Sequence, residues 1–104
     1  MDPESLAHEL HARFDAKTAA REQALPAARR SIRASANAIR AVHRGERDPA
    51  HRLIAESRAA LEEGLAGVEE HPDVRFAGYL LDAEKEYAEA NITDALVAGE
   101  SIPT

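Results

Sequence analysis

Apolar residues along this chain recur at helical spacing, and no stretch alternates in the two-residue rhythm of a β-strand. Leu6, Leu10 and Phe14 stand four apart behind Asp2-Pro3, a pair that reads as a helix N-cap and first helical residue. From Leu25 the pattern tightens into two seven-residue columns, Leu25-Ile32-Ile39 and Ala28-Ser35-Val42, the seam of a bundled helix. Pro26 interrupts this stretch. It removes one backbone donor and crowds the preceding turn, so a kink or a helix restart is predicted there. Gly45 ends the segment. Asp48-Pro49 repeats the opening device, and Ile54, Leu61, Leu65 and Val68 supply the next apolar face. Gly64 and Gly67 lower that helix's propensity and predict close backbone contact with a neighbour. His71-Pro72-Asp73 closes it and caps a last helix over 74–98, which stops at Gly99. Residues 101–104 read as the start of a linker. The expectation is an all-α chain, one domain over 1–104, forming an antiparallel helical bundle of about four helical segments.

Composition adds a condition to this picture. Alanine supplies 23 of the 104 residues, whereas Leu, Ile and Val together number 18, with two Phe, two Tyr and no Trp. Alanine lets helices approach closely but removes little apolar area from water. A small domain built this way is marginal alone, so further helices are expected from oligomerisation. Without cysteine there are no disulfides and no thiolate metal sites. The start, Met1-Asp2-Pro3-Glu4-Ser5, lacks the basic leader and apolar core of a signal peptide. No apolar run approaches the roughly 20 residues that span a bilayer. A cytoplasmic protein with no membrane partner is therefore expected.

The net charge of −6 conceals a segregation. From Arg21 to Arg47 seven Arg face two Glu, a balance of +5; from Leu61 to Glu100 eleven acids face Arg75 and Lys85, a balance of −9. Such asymmetry bears on partners. At about 100° per residue, Arg29, Arg33, Arg40 and Arg44 fall within about 60° of one another, beside the apolar seam. Guanidinium groups so arrayed suit phosphate, being permanently charged and able to bond bidentately; the plainer reading is a solvated helix face. No aromatic residues interleave with them, so a stacking platform for single strands is not visible.

Asp82, Glu86 and Glu89 occupy i, i+4 and i+7 on one stripe of the last helix. Their oxygens suit a hard divalent cation, Mg²⁺ or Mn²⁺, completed by water and phosphate. An exposed acidic stripe is the simpler alternative. Glu84 points into the arc of Ala77, Leu80, Ala88 and Ala95, either as a snorkelling edge residue or as a buried carboxylate with a partner. His8 and His11 are three apart, not the four of the zinc-protease pair. His43 is placed to join the basic arc, while His51 and His71 read as local to helix ends. No Glu-x-x-His motif, Gly-rich phosphate loop, nucleophile elbow or thiol is present.

Several of these residues, taken together, resemble the translin family. They are His71-Pro72, Phe76-Ala77-Gly78-Tyr79, Asp82-Ala83 and Lys85-Glu86-Tyr87-Ala88-Glu89-Ala90, with Arg21-Glu22-Gln23-Ala24-Leu25, Ser35-Ala36-Asn37-Ala38-Ile39-Arg40 and His43-Arg44-Gly45-Glu46 before them and Asp94-Ala95-Leu96 and Gly99-Glu100 after. The family includes translin and translin-associated factor X, and the likeness is closest to the archaeal translin-like proteins. It runs over most of the chain and corresponds to about the N-terminal half of the family fold; the other half supplies a further catalytic acid and much of the assembly surface. The resemblance implies an all-α protein that assembles into hollow shells, binds RNA or single-stranded DNA, and in some members is a Mg²⁺-dependent endoribonuclease. It further implies that Glu86 and Glu89 are metal-binding catalytic acids and that basic residues of the first helices contact nucleic acid. Asp82 joins the metal set on helix geometry alone.

Two functions stand against each other on this sequence. One is a translin-like nucleic-acid-binding protein with metal-dependent ribonuclease capacity, working as a homo-oligomer or with a second translin-like chain. The other is a non-catalytic helical module that completes a partner's bundle. A helical nucleotide pyrophosphatase is set aside, because no Glu-x-x-Asp follows Glu86 and Glu89 at a suitable distance.

Overall fold

The computed structural model describes residues 2–99, and these are helical nearly throughout: α1 (Pro3–His43), α2 (Arg47–Ala66), α3 (Pro72–Arg75) and α4 (Gly78–Ala98). Among the described residues there is no strand, and no helix is long and apolar enough to cross a membrane. α1 opens as its sequence requires: the Asp2 carboxylate accepts the Ser5 amide at 2.7 Å, with Pro3 in the first turn. Gly45 and Gly99 take positive φ just beyond the ends of α1 and α4, the left-handed conformation that closes a helix at little steric cost.

Three boundaries differ from those the local pattern predicts. Pro26 does not restart the helix; α1 runs through it for 41 residues, and Pro26 lies on the exposed side while Ala24, Ala27 and Ala28 are buried around it. Tertiary packing on either side of the proline outweighs the loss of one backbone bond. The second helix starts at Arg47, not at Asp48-Pro49, with Glu46 at the N-cap and no side-chain cap bond. The Glu46 carboxylate instead engages Arg44. Asp48 still lies in the first turn, where its charge meets the positive end of the helix, and Pro49 falls where the amide has no acceptor within the helix. Finally, His71-Pro72-Asp73 opens the short α3 rather than capping the last helix. Val74 turns into the core, the chain bends at Phe76, and α4 begins afresh at Gly78 behind an extended Ala77. Residues 101–104, read above as a linker, lie outside the described residues.

α2 and α4 pack on α1 and only lightly on each other. Leu80, Ala24 and Ala27 all approach Gly64, while Val42 and Val97 line one hollow at the far end. α4 therefore runs parallel to α1, and α2 antiparallel to both. The α1–α2 seam is made of small residues at seven-residue spacing: Ala24-Ser31-Ala38 and Ala27-Ala34-Ala41 on one helix, Ala50-Ser57-Gly64 on the other, all buried. At Gly64 a Cβ would stand 3.3 Å from Ala27 Cβ, the close approach its glycine predicts. The three serines there are fully buried and satisfy one another. Ser31 Oγ donates to the Ser57 carbonyl at 2.9 Å, Ser57 Oγ to the Ser31 carbonyl at 3.0 Å, and Ser35 Oγ meets Ser57 Oγ at 2.6 Å. Larger apolar side chains gather where α3 and α4 join, around Leu61, Val68, Val74 and Leu80. Leu25, Ile32 and Ile39, the bulky column of the sequence pattern, are only half-buried, with Ile32 packed against this core.

Ala20 is the first buried residue of α1. Residues 3–19 form an arm that projects past the α2–α3 junction, held there by Lys17 against Asp73. At about 1.5 Å per residue, α1 alone accounts for most of the molecule's 64 Å length. The radius of gyration is 17.9 Å, against about 13 Å for a compact chain of this size.

Candidate nucleic-acid interface and acidic helix

Arg29, Arg33, Arg40 and Arg44 are all exposed. They lie on the back of α1, roughly opposite the buried Ser31, Ser35 and Val42 when positions are counted at about 100° per residue. The sequence pattern puts them beside the seam; its column Ala28-Ser35-Val42 is buried, whereas Leu25-Ile32-Ile39, the column nearer the arc, is only half-buried, so the arc is turned to solvent. Two of the four are engaged locally. Arg40 donates to Asn37 Oδ1 at 2.7 Å, and Arg44 engages Glu46. Arg29 and Arg33 have no hydrogen-bond or ion-pair partner among the described residues. Arg30, one residue off the arc, ties α1 to α2 through Glu63 at 2.6 Å. Between these helices Arg30, Arg33, Asn37, Leu53 and Glu56 line an open groove of about 410 Å³. Sequence reasoning missed Asn37 and Glu56. Asn37 follows Arg33 by four residues, a same-face spacing that would have found it; Glu56 joins only through α1–α2 packing.

On α4, Asp82 and Glu89 are exposed and Glu86 is half-buried. Lys85 Nζ lies 4.0 Å from Glu89, so one carboxylate of the stripe already has a cation beside it. Oxygen donors of this kind suit a hard divalent ion. Among the described residues, however, no group of three or more His, Cys, Asp or Glu side chains is placed to hold one. The stripe also borders an apolar one: Leu81, Ile92 and Leu96 are exposed on the adjoining face of α4.

Glu84 is resolved as a half-buried carboxylate with a partner. Arg75 Nη1 donates to its Oε1 at 2.8 Å, and the same guanidinium stacks on the Phe76 ring, 5.1 Å from its centroid. His51 corrects the expectation of a local role. It lies within α2, and its Nε2 meets Asp94 Oδ2 of α4 at 2.9 Å, a bond between helices that linear spacing cannot reveal. His8 and His43 are exposed, and His11 lies 3.8 Å from Asp15. No ion pair among the described residues joins the arginine arc to the Asp82-Glu86-Glu89 stripe; they occupy separate faces.

No protein-family model, curated protein or solved structure matches this chain.

Proposed function

We propose that the chain is a translin-like nucleic-acid-binding protein for RNA or single-stranded DNA. The observation that carries this reading is the back of α1, where four exposed arginines form one arc and two of them, Arg29 and Arg33, have no partner among the described residues. Guanidinium groups spaced along a rigid helix engage successive phosphates and release their counterions. In this reading Glu86 and Glu89, with Asp82, hold Mg²⁺ or Mn²⁺ together with substrate phosphate and with donors from a second chain. A cation so held would lower the pKa of a bound water and offset phosphoryl charge. The chain's own residues position the phosphates and, at Glu86 and Glu89, supply carboxylate oxygens. Association, as a homo-oligomer or with a second translin-like chain, and a cytoplasmic location belong to the same proposal.

The test is anisotropy of a labelled single-stranded RNA against salt, paired with cleavage in Mg²⁺ or EDTA. Affinity should fall steeply with salt, and Arg29→Ala and Arg33→Ala should each reduce the salt slope by about 1. Any Mg²⁺-dependent cleavage should vanish in Glu86→Ala and Glu89→Ala. Binding that ignores salt, or cleavage that survives both acid substitutions, overturns the reading.

A second reading, the non-catalytic module that completes a partner's bundle, is favoured by a different observation. Among the described residues eight large apolar side chains are exposed, including Phe14, Phe76, Leu96 and Val97. It predicts that association, not RNA, is what the charged stripes serve.

A further inference from the structure

Five of the large exposed apolar residues among those described, with Ala88, fall into two rows of the same spacing. On the arm, Leu6, Leu10 and Phe14 stand four apart and are 46%, 54% and 67% exposed. On the outer face of α4, Ala88, Ile92 and Leu96 also stand four apart and are all exposed. Helices pack by setting rows of this kind into one another. Within one chain the rows cannot meet, because the arm projects beyond the end of α1 that α4 covers.

We propose that the arm of one copy packs antiparallel on the outer face of α4 in a second copy, and reciprocally, as a two-fold dimer. Two features, the rows and the surface area, identify the occupant as another copy of this chain. The rows match in reverse order: Leu6 against the partner's Leu96 sets Leu10 against the partner's Ile92 and Phe14 against the partner's Ala88, the bulkiest side chain over the smallest. In the same register Arg13, which pairs with Glu9 in its own chain, comes opposite the partner's Glu89, and Lys17, held by Asp73, comes opposite the partner's Lys85, so the charges do not set the register. The surface area matches as well. The chain exposes 6825 Å² for 11.3 kDa, whereas a compact monomer of that mass exposes about 5,700 Å². The excess, on the order of 1,000 Å², is comparable to the roughly 800 Å² each partner contributes to a standard interface. The same register brings the N-terminal ends of the two α4 helices together near the dyad, where the exposed Phe76 and Leu81 of each copy lie.

This inference rests on the association part of the proposed function and is independent of nucleic-acid binding. The chain has no cysteine, so introduced thiols report one contact without interference. The test is light-scattering mass of the purified chain, with oxidative cross-linking of three variants: Leu10→Cys, Ile92→Cys and the two combined. The dimer should be the species in solution, the double variant should give a covalent dimer, and neither single variant should. Leu10→Glu, which lies outside the core and leaves folding intact by circular dichroism, should shift the mass to monomer, with affinity lost at least tenfold. A monomer at about 100 µM, above the range of specific protein–protein affinities, overturns both this interface and the association proposed above. An oligomer that Leu10→Glu leaves unchanged and that does not cross-link through positions 10 and 92 overturns this interface alone.

Discussion

Replacing Ser57 by alanine removes the hydroxyl that links three buried serines, and the effect can be worked bond by bond. Ser57 Oγ donates to the Ser31 carbonyl at 3.0 Å and contacts the hydroxyls of Ser31 and Ser35 at 2.9 and 2.6 Å. Ser31 is little affected, because its own hydroxyl still reaches the Ser57 backbone carbonyl. Ser35 loses its partner, the Ser57 hydroxyl, while remaining fully buried. A stranded buried hydroxyl costs about 1–3 kcal/mol, and alanine's better helix propensity returns about 0.5 kcal/mol. Ser57→Ala should therefore destabilise the chain by about 1.5 kcal/mol, a fall in Tm of about 6–12 °C for a domain of this size. The sharper expectation concerns Ser35→Ala combined with Ser57→Ala. With both hydroxyls gone nothing is stranded, two small methyl groups occupy a seam already built of alanine, and stability should return to within about 0.5 kcal/mol of the parent. Urea and thermal unfolding followed at 222 nm, at one fixed protein concentration so that association does not shift the midpoint, measures all three variants. A double variant as unstable as the sum of its singles would refute the reasoning, since the loss would then be packing rather than an unpaired hydroxyl.

Three other outcomes follow from the same structure. Gly64→Leu should destabilise by about 2–3 kcal/mol, because even a Cβ there meets Ala27 Cβ at 3.3 Å and Leu80 Cδ2 at 3.4 Å; the denaturant midpoint reports it. Tyr79→Phe should leave the melting temperature unchanged or raise it, since the buried Tyr79 hydroxyl has no hydrogen-bond partner. The Ser5 amide holds the Asp2 carboxyl below its ordinary value of 3.8, with the Ser5 hydroxyl adding to the effect. Because the folded pKa is depressed, the cap's contribution is complete above the ordinary carboxylate range and is lost as pH falls through the lowered value. Amide-exchange protection of the first turn should fade there, and Asp2→Asn, which caps without a charge, should remove that pH dependence.

The parts of this fold legible in the sequence are those decided within a few residues of themselves. Apolar spacing marks the helical segments, Asp2-Pro3 specifies its own cap through one short bond, and Gly45 and Gly99 stop helices because a left-handed residue is cheapest without a Cβ. The exposure of Arg29, Arg33, Arg40 and Arg44 was likewise readable, because a charged face seeks water whatever the helix packs against.

What required the tertiary structure depends on neighbours distant in sequence. The continuity of α1 through Pro26 follows from packing on both sides of the proline, which outweighs a local penalty that the sequence states correctly. The serine cluster joins positions 26 and 22 residues apart, and the His51–Asp94 bond joins positions 43 apart; linear spacing carries no signal for either. The four-residue rows on the arm and on α4 are visible as patterns, but a pattern predicts burial without naming the surface that provides it. Only the placement of α2 and α4 beside residues 20–43 leaves both rows uncovered, because the alanines and serines of α1 that are buried against those helices begin at Ala20.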